Sequence, residues 1–167
     1  ISITAGQIVR EGNLCNAGIR PAVNAGTAVS RVGGDAMTKA MKKVAGGLRL
    51  AMASFRELAA FAQFGSSLDK TTQAQLDRGQ RLQEILKQPQ YSPVDLVDQV
   101  LSIYAATNGY ADEVEVERVK EWEESMLRYF HTSQPEIVKE IETKKAVSDD
   151  MFDKIKAALT AFNSTWA

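Results

Sequence analysis

A chain of 167 residues, 44% of them hydrophobic and 25% charged, has the length and composition of one globular domain with a sizeable core. The net charge of −1 favours neither nucleic acid nor a membrane surface as a partner, and no apolar run approaches the roughly 18 residues that span a bilayer. Cys15 is the only cysteine, so an internal disulfide is excluded. Residues 1–60 carry an excess of five positive charges and residues 61–167 an excess of six negative ones, so the first part is suited to anions.

The chain opens with a short apolar segment followed by a loop. No Met begins it, and Ile1–Thr4 has the pattern of a strand entered in mid-course, so we expect a C-terminal fragment of a longer protein. From Asp35 the apolar period becomes helical, and Asp35 is the predicted N-cap. The apolar stripe of this long helix consists of Met37, Met41, Val44, Leu48, Met52, Phe55, Leu58 and Ala62. Gly46-Gly47 predicts a kink or a close helix contact, because glycine costs up to about 1 kcal/mol in a helix interior.

Shorter helices follow, and capping residues mark their ends. The first is predicted from Lys70 to Leu86, where Gln88-Pro89 stops it. The run Ser92–Asp95 predicts an N-cap with proline at the first helical position, and Asn108-Gly109 predicts a left-handed end of that helix.

Three more helices complete the predicted fold. Apolar residues mark one from Val116 to Phe130, Ser133–Glu136 opens a brief one, and Met151–Trp166 gives the last its apolar edge. The fold class is therefore mainly α, a helical bundle preceded by a short strand and loop segment.

The sequence does not assemble a metal site or a self-contained catalytic site. Seven acidic residues between positions 112 and 124 spread around a helix, which is typical of a solvated face. His131 has no second histidine or cysteine to complete a metal set, so we expect it at the surface.

Arg31 has the most informative setting. It lies in a turn followed by Gly33-Gly34, just before the long predicted helix. A guanidinium keeps its proton and offers a planar fork of donors, so on a tight turn it can reach a phosphate held by a neighbouring chain. By spacing alone, a salt-bridged surface arginine explains it as well.

Several long runs carry a resemblance that decides between these alternatives. They are Asn16–Asn24 (NAGIRPAVN), Val29–Gly34 (VSRVGG), Lys39–Gly46 (KAMKKVAG), Phe55–Phe64 (FRELAAFAQF) and Leu86–Pro93 (LKQPQYSP). Together they resemble the α-subunit family of the F-type ATP synthases. The resemblance covers nearly the whole chain and is strongest from Gly6 to about Gly109.

The resemblance implies two parts and an arginine finger. Residues 1–34 would be the end of a nucleotide-binding domain and residues 35–167 a C-terminal helical domain. In this family α and β subunits alternate in a hexameric ring, and the arginine that aligns with Arg31 projects into the catalytic site of the adjacent β subunit. Ser30 would help to position it, and Ser2 and Gly6 match family positions near the same interface that bear on phosphate binding.

The resemblance also implies a second, noncatalytic nucleotide site within α itself. Four residues match those that line its base and ribose end: Arg20, Pro21, Gln88 and Gln90. The cofactors would be ATP or ADP with Mg²⁺ in the full complex. We expect no tightly bound nucleotide on this chain alone, since the family's phosphate-binding loop precedes the region that it covers.

The implied activity is ATP synthesis and hydrolysis coupled to proton transport. The implied partners are the β subunits, the γ rotor, and δ and the peripheral stalk, with no nucleic acid and with membrane contact only through the complex. The location would be peripheral to an energy-transducing membrane, on its cytoplasmic face in a bacterium or its matrix or stroma side in an organelle. We expect exposed apolar area along the N-terminal segment, where partners would pack.

Four positions depart from the family pattern: Ala5, Arg10, Cys15 and Ala28. The alternative function is a helical interaction or scaffold domain of a related rotary ATPase without a nucleotide role. Such a domain has no need of the glycine-flanked Arg31 or of the loop around Gln88 and Gln90, so these residues favour the nucleotide role.

Overall fold

The computed structural model describes residues 6–24, 28–62 and 69–166. Two short strands, β1 (Gly6–Gln7) and β2 (Val29–Ser30), pair antiparallel with Gly6 opposite Ser30. The helices in chain order are α1 (Gly12–Asn16), α2 (Gly33–Ala36), α3 (Lys39–Ala62), α4 (Lys70–Ile85), α5 (Leu96–Thr107), α6 (Val119–Ser133), α7 (Pro135–Lys144) and α8 (Asp149–Thr165), with a 3₁₀ turn at Val116–Arg118. This confirms the predicted helical bundle after a short strand segment.

Helix α5 lies at the centre of the bundle. Seven of its twelve residues are buried, and α3, α4, α6 and α7 all pack against it. The largest fully buried side chains outside α5 come from four of the surrounding helices, and they include Trp122, Phe130, Leu82, Ile141, Ile155 and Leu159. Each such side chain contributes roughly 1.5–3 kcal/mol on leaving water, so this core dominates the stability of the fold.

The long helix starts later than the sequence predicts. Asp35 lies inside the one-turn helix α2, and Met37 is extended with φ −67° and ψ 142°, which separates α2 from α3. Thr38 is the residue that caps α3, because its hydroxyl oxygen accepts the Met41 amide at 3.3 Å. A second free amide of the first turn, that of Ala40, donates to the Lys145 carbonyl at 3.1 Å. The prediction that Asp35 is the N-cap of the long helix was therefore wrong.

The glycine pair of α3 has no close neighbour. The helix continues from Lys39 to Ala62 through Gly46 and Gly47, and a Cβ at either would meet no atom within 4 Å. Of the two predicted alternatives, the close helix contact is therefore not found among the described residues, and the kink stays a prediction. The apolar stripe is also only partly used, since Val44 and Met52 are buried whereas Met37 is 42% exposed.

Helix α5 also starts later than predicted. Asp95 stands at its N-cap position and Leu96 begins the helix, so Pro93 is not its first residue. Two side-chain amides hold the preceding carbonyls outside the helix, with Gln88 donating to the Ser92 oxygen at 2.5 Å and Gln99 to the Val94 oxygen at 2.7 Å.

The end of α5 is as predicted. Gly109 has a φ of 84°, the left-handed conformation that glycine adopts without strain. The amides of Gly109 and Tyr110 donate back to Ala106 at 3.3 Å and to Ala105 at 3.0 Å. These two bonds form the Schellman motif that satisfies the last carbonyls of a helix.

The other predicted helices are confirmed. Helix α4 ends at Ile85, α7 carries Pro135 in its first turn, and α8 is capped by Ser148, whose hydroxyl accepts the Met151 amide at 3.2 Å. No helix within residues 6–24, 28–62 and 69–166 is long and apolar enough to cross a bilayer.

One buried polar group in the described core has no partner. The hydroxyl of Ser102 in α5 is buried without a hydrogen bond, and the residue is 4% exposed. We expect Ser102→Ala to raise the free energy of unfolding by about 1 kcal/mol, because an unpaired buried hydroxyl costs about that much or more. Urea denaturation of the chain measures the change.

The matched control is Ser54→Ala, at an exposed position of α3. It reports the gain in helix propensity alone, which is a few tenths of a kcal/mol. A loss of stability in Ser102→Ala would show that the hydroxyl has a partner and would contradict the prediction.

Candidate functional site

The strand pair β1–β2 holds the turn that presents Arg31. At the Gly6 position a Cβ would lie 2.3 Å from the Val29 carbonyl oxygen and 2.8 Å from the Ser30 Cα. Both neighbours are backbone atoms, so only glycine permits this close approach. Gly6 and Ser30, two of the predicted site residues, are thus brought face to face, whereas Ser2 lies outside the described residues.

Ser30 closes the turn that carries Arg31. Its hydroxyl oxygen accepts the Gly33 amide at 2.8 Å, which links the end of β2 to the start of α2. A Cβ at Gly33 would sit 2.7 Å from that oxygen, so the glycine leaves room for the bond. Arg31 is exposed and forms no hydrogen bond or ion pair with any residue in the described part of the chain. The alternative of a salt-bridged surface arginine is therefore not supported, because no described acidic residue pairs with Arg31.

A second set of backbone bonds holds the predicted noncatalytic site. Arg10 and Val23 form an antiparallel bridge, and the Glu11 amide donates to the Ala22 carbonyl at 3.0 Å. These bonds close the loop that contains α1 and the cis peptide between Arg20 and Pro21. Arg20 and Pro21, directly before the closing bonds, are both exposed.

One contact brings the two halves of that site together. The Gln88 amide donates to the Arg20 carbonyl at 2.8 Å, although the two residues are far apart in sequence. Gln90 follows after Pro89 and is exposed. The bond thus places Gln88 beside Arg20, and the side chains of Arg20 and Gln90 are exposed, whereas the Gln88 side-chain amide already donates to the Ser92 carbonyl.

The sequence-based reasoning missed Asn24, Arg56 and Glu11. Arg56 in α3 donates through Nη1 to Oδ1 of Asn24, and Nδ2 of Asn24 donates to Oε1 of Glu11. The sequence offers only a weak signal for this contact. Glu11 is the only acidic residue among the first 34, so a basic side chain from another part of the chain could be expected near it.

The acidic run after α5 is a set of ion pairs and solvated groups. Asp112 pairs with Arg78, and Glu121 pairs with Arg118 at 3.0 Å. The hydrogen bond from Arg118 holds the pKa of Glu121 below its usual value. Among the described residues no cluster of acidic, histidine or cysteine side chains could hold a metal ion.

Two further expectations about the surface are met. His131 is exposed, with Nε2 2.7 Å from Oδ1 of Asp98 on α5, so it forms a surface pair between helices. Apolar residues are exposed along the N-terminal segment, with Ile8 at 78%, Val29 at 57% and Val32 at 53%.

The structure describes three of the four positions that depart from the family pattern. Arg10 is exposed beside its bridge to Val23, and Cys15 is a partly buried free thiol on α1. The Ala28 amide donates to the Asn24 carbonyl at 2.9 Å. Ala5 lies outside the described residues.

The fold and the site define a helical domain preceded by a pair of short antiparallel strands and a turn that presents an arginine. The family model "ATP synthase alpha/beta chain, C terminal domain" matches residues 37–162. ATP synthase subunit alpha of Lawsonia intracellularis (strain PHE/MN1-00) is 48% identical over 166 residues, which are 99% of this chain and 33% of that protein. The chain therefore belongs to the ATP synthase alpha/beta family, as a C-terminal part of the α type, and it spans about a third of the length of that relative.

The close approach at Gly6 leads to a prediction for the β1–β2 pair. Gly6→Ala is expected to raise amide hydrogen exchange across residues 28–31 by about 10-fold or more, because the new methyl group displaces the Val29 backbone and opens the pairing. Hydrogen exchange followed by mass spectrometry measures it. Gly12→Ala is the control, since a Cβ there meets no atom within 4 Å. Equal exchange in both variants would contradict the prediction.

Proposed function

We propose that this chain acts within the α subunit of an ATP synthase and supplies Arg31 as an arginine finger to the catalytic nucleotide site of an adjacent β subunit. The observation that carries the proposal is the setting of Arg31, exposed directly after β2, on a turn closed by the Ser30 hydroxyl. Family membership supports the assembly in which such a turn meets a neighbouring subunit.

The chemistry follows from a fixed positive charge. As the γ-phosphoryl group transfers, negative charge spreads over its oxygens, and a guanidinium stabilises that charge without any change of protonation. In other nucleotide hydrolases such a finger is worth about 10³ to 10⁵ in rate. Ser30 contributes by fixing the turn through Gly33, so that Arg31 reaches the phosphate with little loss of conformational freedom.

The polar surface around the Gln88–Arg20 contact is the proposed noncatalytic nucleotide site. Gln90 and Arg20 are exposed there, and side-chain amides can donate to and accept from the edge of an adenine. The phosphates, with their Mg²⁺, would be held by residues that precede this region in the family. The bound nucleotide would then regulate the ring and undergo no hydrolysis.

The remaining proposals concern the assembly. The exposed Ile8, Val29 and Val32 support a buried contact of the N-terminal segment with partner chains, for which the β subunits are the proposed occupants. The γ rotor and the peripheral stalk complete the proposed complex. Its proposed activity is ATP synthesis or hydrolysis coupled to proton transport, at the cytoplasmic, matrix or stromal face of an energy-transducing membrane.

The test of the finger is Arg31→Ala in a complete α chain assembled with β and γ. We expect the turnover number for ATP hydrolysis to fall by about 10³-fold or more, because the charge that stabilises the transition state is gone. Nucleotide binding to β, measured by titration on the same ring, should persist.

The matched control is Arg49→Ala, which removes an exposed arginine from α3. Its turnover should remain close to that of the unmodified ring. Nearly unchanged turnover in Arg31→Ala would refute the finger and favour the helical scaffold role.

A separate prediction tests the noncatalytic site. We expect Gln90→Ala to weaken nucleotide binding there by about 10-fold, the equivalent of one hydrogen bond, while the affinity of the catalytic sites stays the same. Retention of a labelled, nonhydrolysable nucleotide by the isolated ring measures it. Gln80→Ala, at an exposed position of α4, is the control, and equal retention in both variants would exclude Gln90 from the site.

A further inference from the structure

Asn24 joins three parts of the chain through its side chain and its backbone. Its side-chain oxygen accepts from Arg56 in α3, and its side-chain nitrogen donates to Glu11 at the start of α1. Its backbone amide donates to the Val9 carbonyl at 2.8 Å, and its carbonyl accepts the Ala28 amide at 2.9 Å. At least four hydrogen bonds therefore meet at this half-buried residue.

The charges on either side of Asn24 fix the orientation of its amide. Arg56 can only donate and the Glu11 carboxylate can only accept, so a single orientation of the amide satisfies both. Hydrogen bonds to charged groups are shorter and stronger than those between neutral groups. All three side chains are partly buried, so water and salt screen them less than they would an exposed pair.

These bonds lead directly to the turn of Arg31. The Asn24 carbonyl holds the amide of Ala28, the residue before β2, and the pairing of Ser30 with Gly6 holds the other end of that strand. Arg31 follows immediately. The strand that aims Arg31 is thus fixed at its entry by Asn24 and at its exit by β1.

Helix α3 gives Arg56 a rigid support. It packs along both α4 and α5, and Met52, one turn before Arg56, is buried in the core. Packed cores deform little, so a side chain on such a helix has a nearly fixed position. Its hydrogen bond therefore holds the loop in a fixed place relative to the bundle.

We propose that Arg56 is a positioning residue for Arg31, and that it acts through Asn24 by fixing the entry to β2. The inference rests on the proposed finger role of Arg31. Without Arg56 the finger is present but displaced, and a displacement of about 1 Å can cost up to about 10²-fold in rate. The effect should fall on the turnover number, since the β subunit would still bind nucleotide.

The test uses Arg56→Ala, Arg31→Ala and the double variant, each in a complete α chain assembled with β and γ. We expect Arg56→Ala to lower kcat by about 10-fold to 100-fold with little change in KM. In the Arg31→Ala background, Arg56→Ala should cause no further loss, because it acts only through Arg31. Asn24→Ala should reproduce the Arg56→Ala loss, and Arg56→Lys, which keeps one charged donor, should recover part of kcat.

Two controls separate this inference from the finger proposal. Arg49→Ala removes an exposed arginine from the same helix and should leave kcat unchanged. If Arg56→Ala lowers kcat equally with and without Arg31, Arg56 supports the fold in general and the inference is overturned. It is also overturned if Arg31→Ala abolishes turnover while Arg56→Ala has no effect.

A readout without activity completes the design. Arg56→Ala should speed amide exchange across residues 28–31 relative to Arg49→Ala, since the Asn24 side chain loses its bond to α3 and the Asn24 carbonyl, which accepts the Ala28 amide, is held less firmly. If Arg31→Ala leaves turnover intact, the finger proposal fails by itself. Exchange then decides whether Arg56 orders the turn, and unchanged exchange overturns that role.

Discussion

The burial of α5 is the constraint on which the rest of the structure depends. Val100, Leu101 and Ala105 have no exposed surface, and four other helices lie against this one. Tyr104, at the rim, stacks on Phe152 of α8 with ring centroids 4.8 Å apart, and burial raises the pKa of its hydroxyl. Helix α8 is thus joined to the same core through an aromatic contact.

Polar contacts then fix how the outer helices lie on that core. The amide of Asn163 in α8 accepts from the Trp122 indole at 3.0 Å and donates to the Tyr110 carbonyl at 2.7 Å. Trp122 is fully buried, so its N–H would otherwise carry the cost of an unmade hydrogen bond. On the α4 side, Arg81 donates to the Val114 carbonyl at 2.6 Å. The loop between α5 and α6 is therefore bonded to two helices, α4 and α8.

The N-terminal segment is held differently. Within the described residues its contacts with the bundle include two hydrogen bonds, from Arg56 to Asn24 and from Gln88 to Arg20, while Ile8 and Val29 remain exposed. A segment with few buried apolar contacts opens more easily than a core helix. Its geometry thus depends on directional polar bonds to α3 and to the loop after α4. Such bonds set the direction of a turn more sharply than apolar packing does, which suits a segment whose proposed role is to aim one guanidinium.

What the sequence predicted, and what it could not, follows from the range of the interactions. The apolar period and local capping chemistry placed α4 and α6–α8, and Asn108-Gly109 placed the end of α5, because those signals lie within a few residues of their effect. The start of α3 was predicted wrongly, because it depends on the extended conformation of Met37 and on the Lys145 carbonyl, which is distant in sequence. At the site, the turn from Ser30 to Gly33 is formed by neighbouring residues, and the glycines after Arg31 indicated it in the sequence. The contact between Gln88 and Arg20 was suggested only by family resemblance, and the bond from Arg56 to Asn24 was not foreseen at all. A helical period shows which face of α3 is apolar, but it does not show which loop amide will meet an arginine beside that face. Only the packed bundle brings that arginine and that amide together.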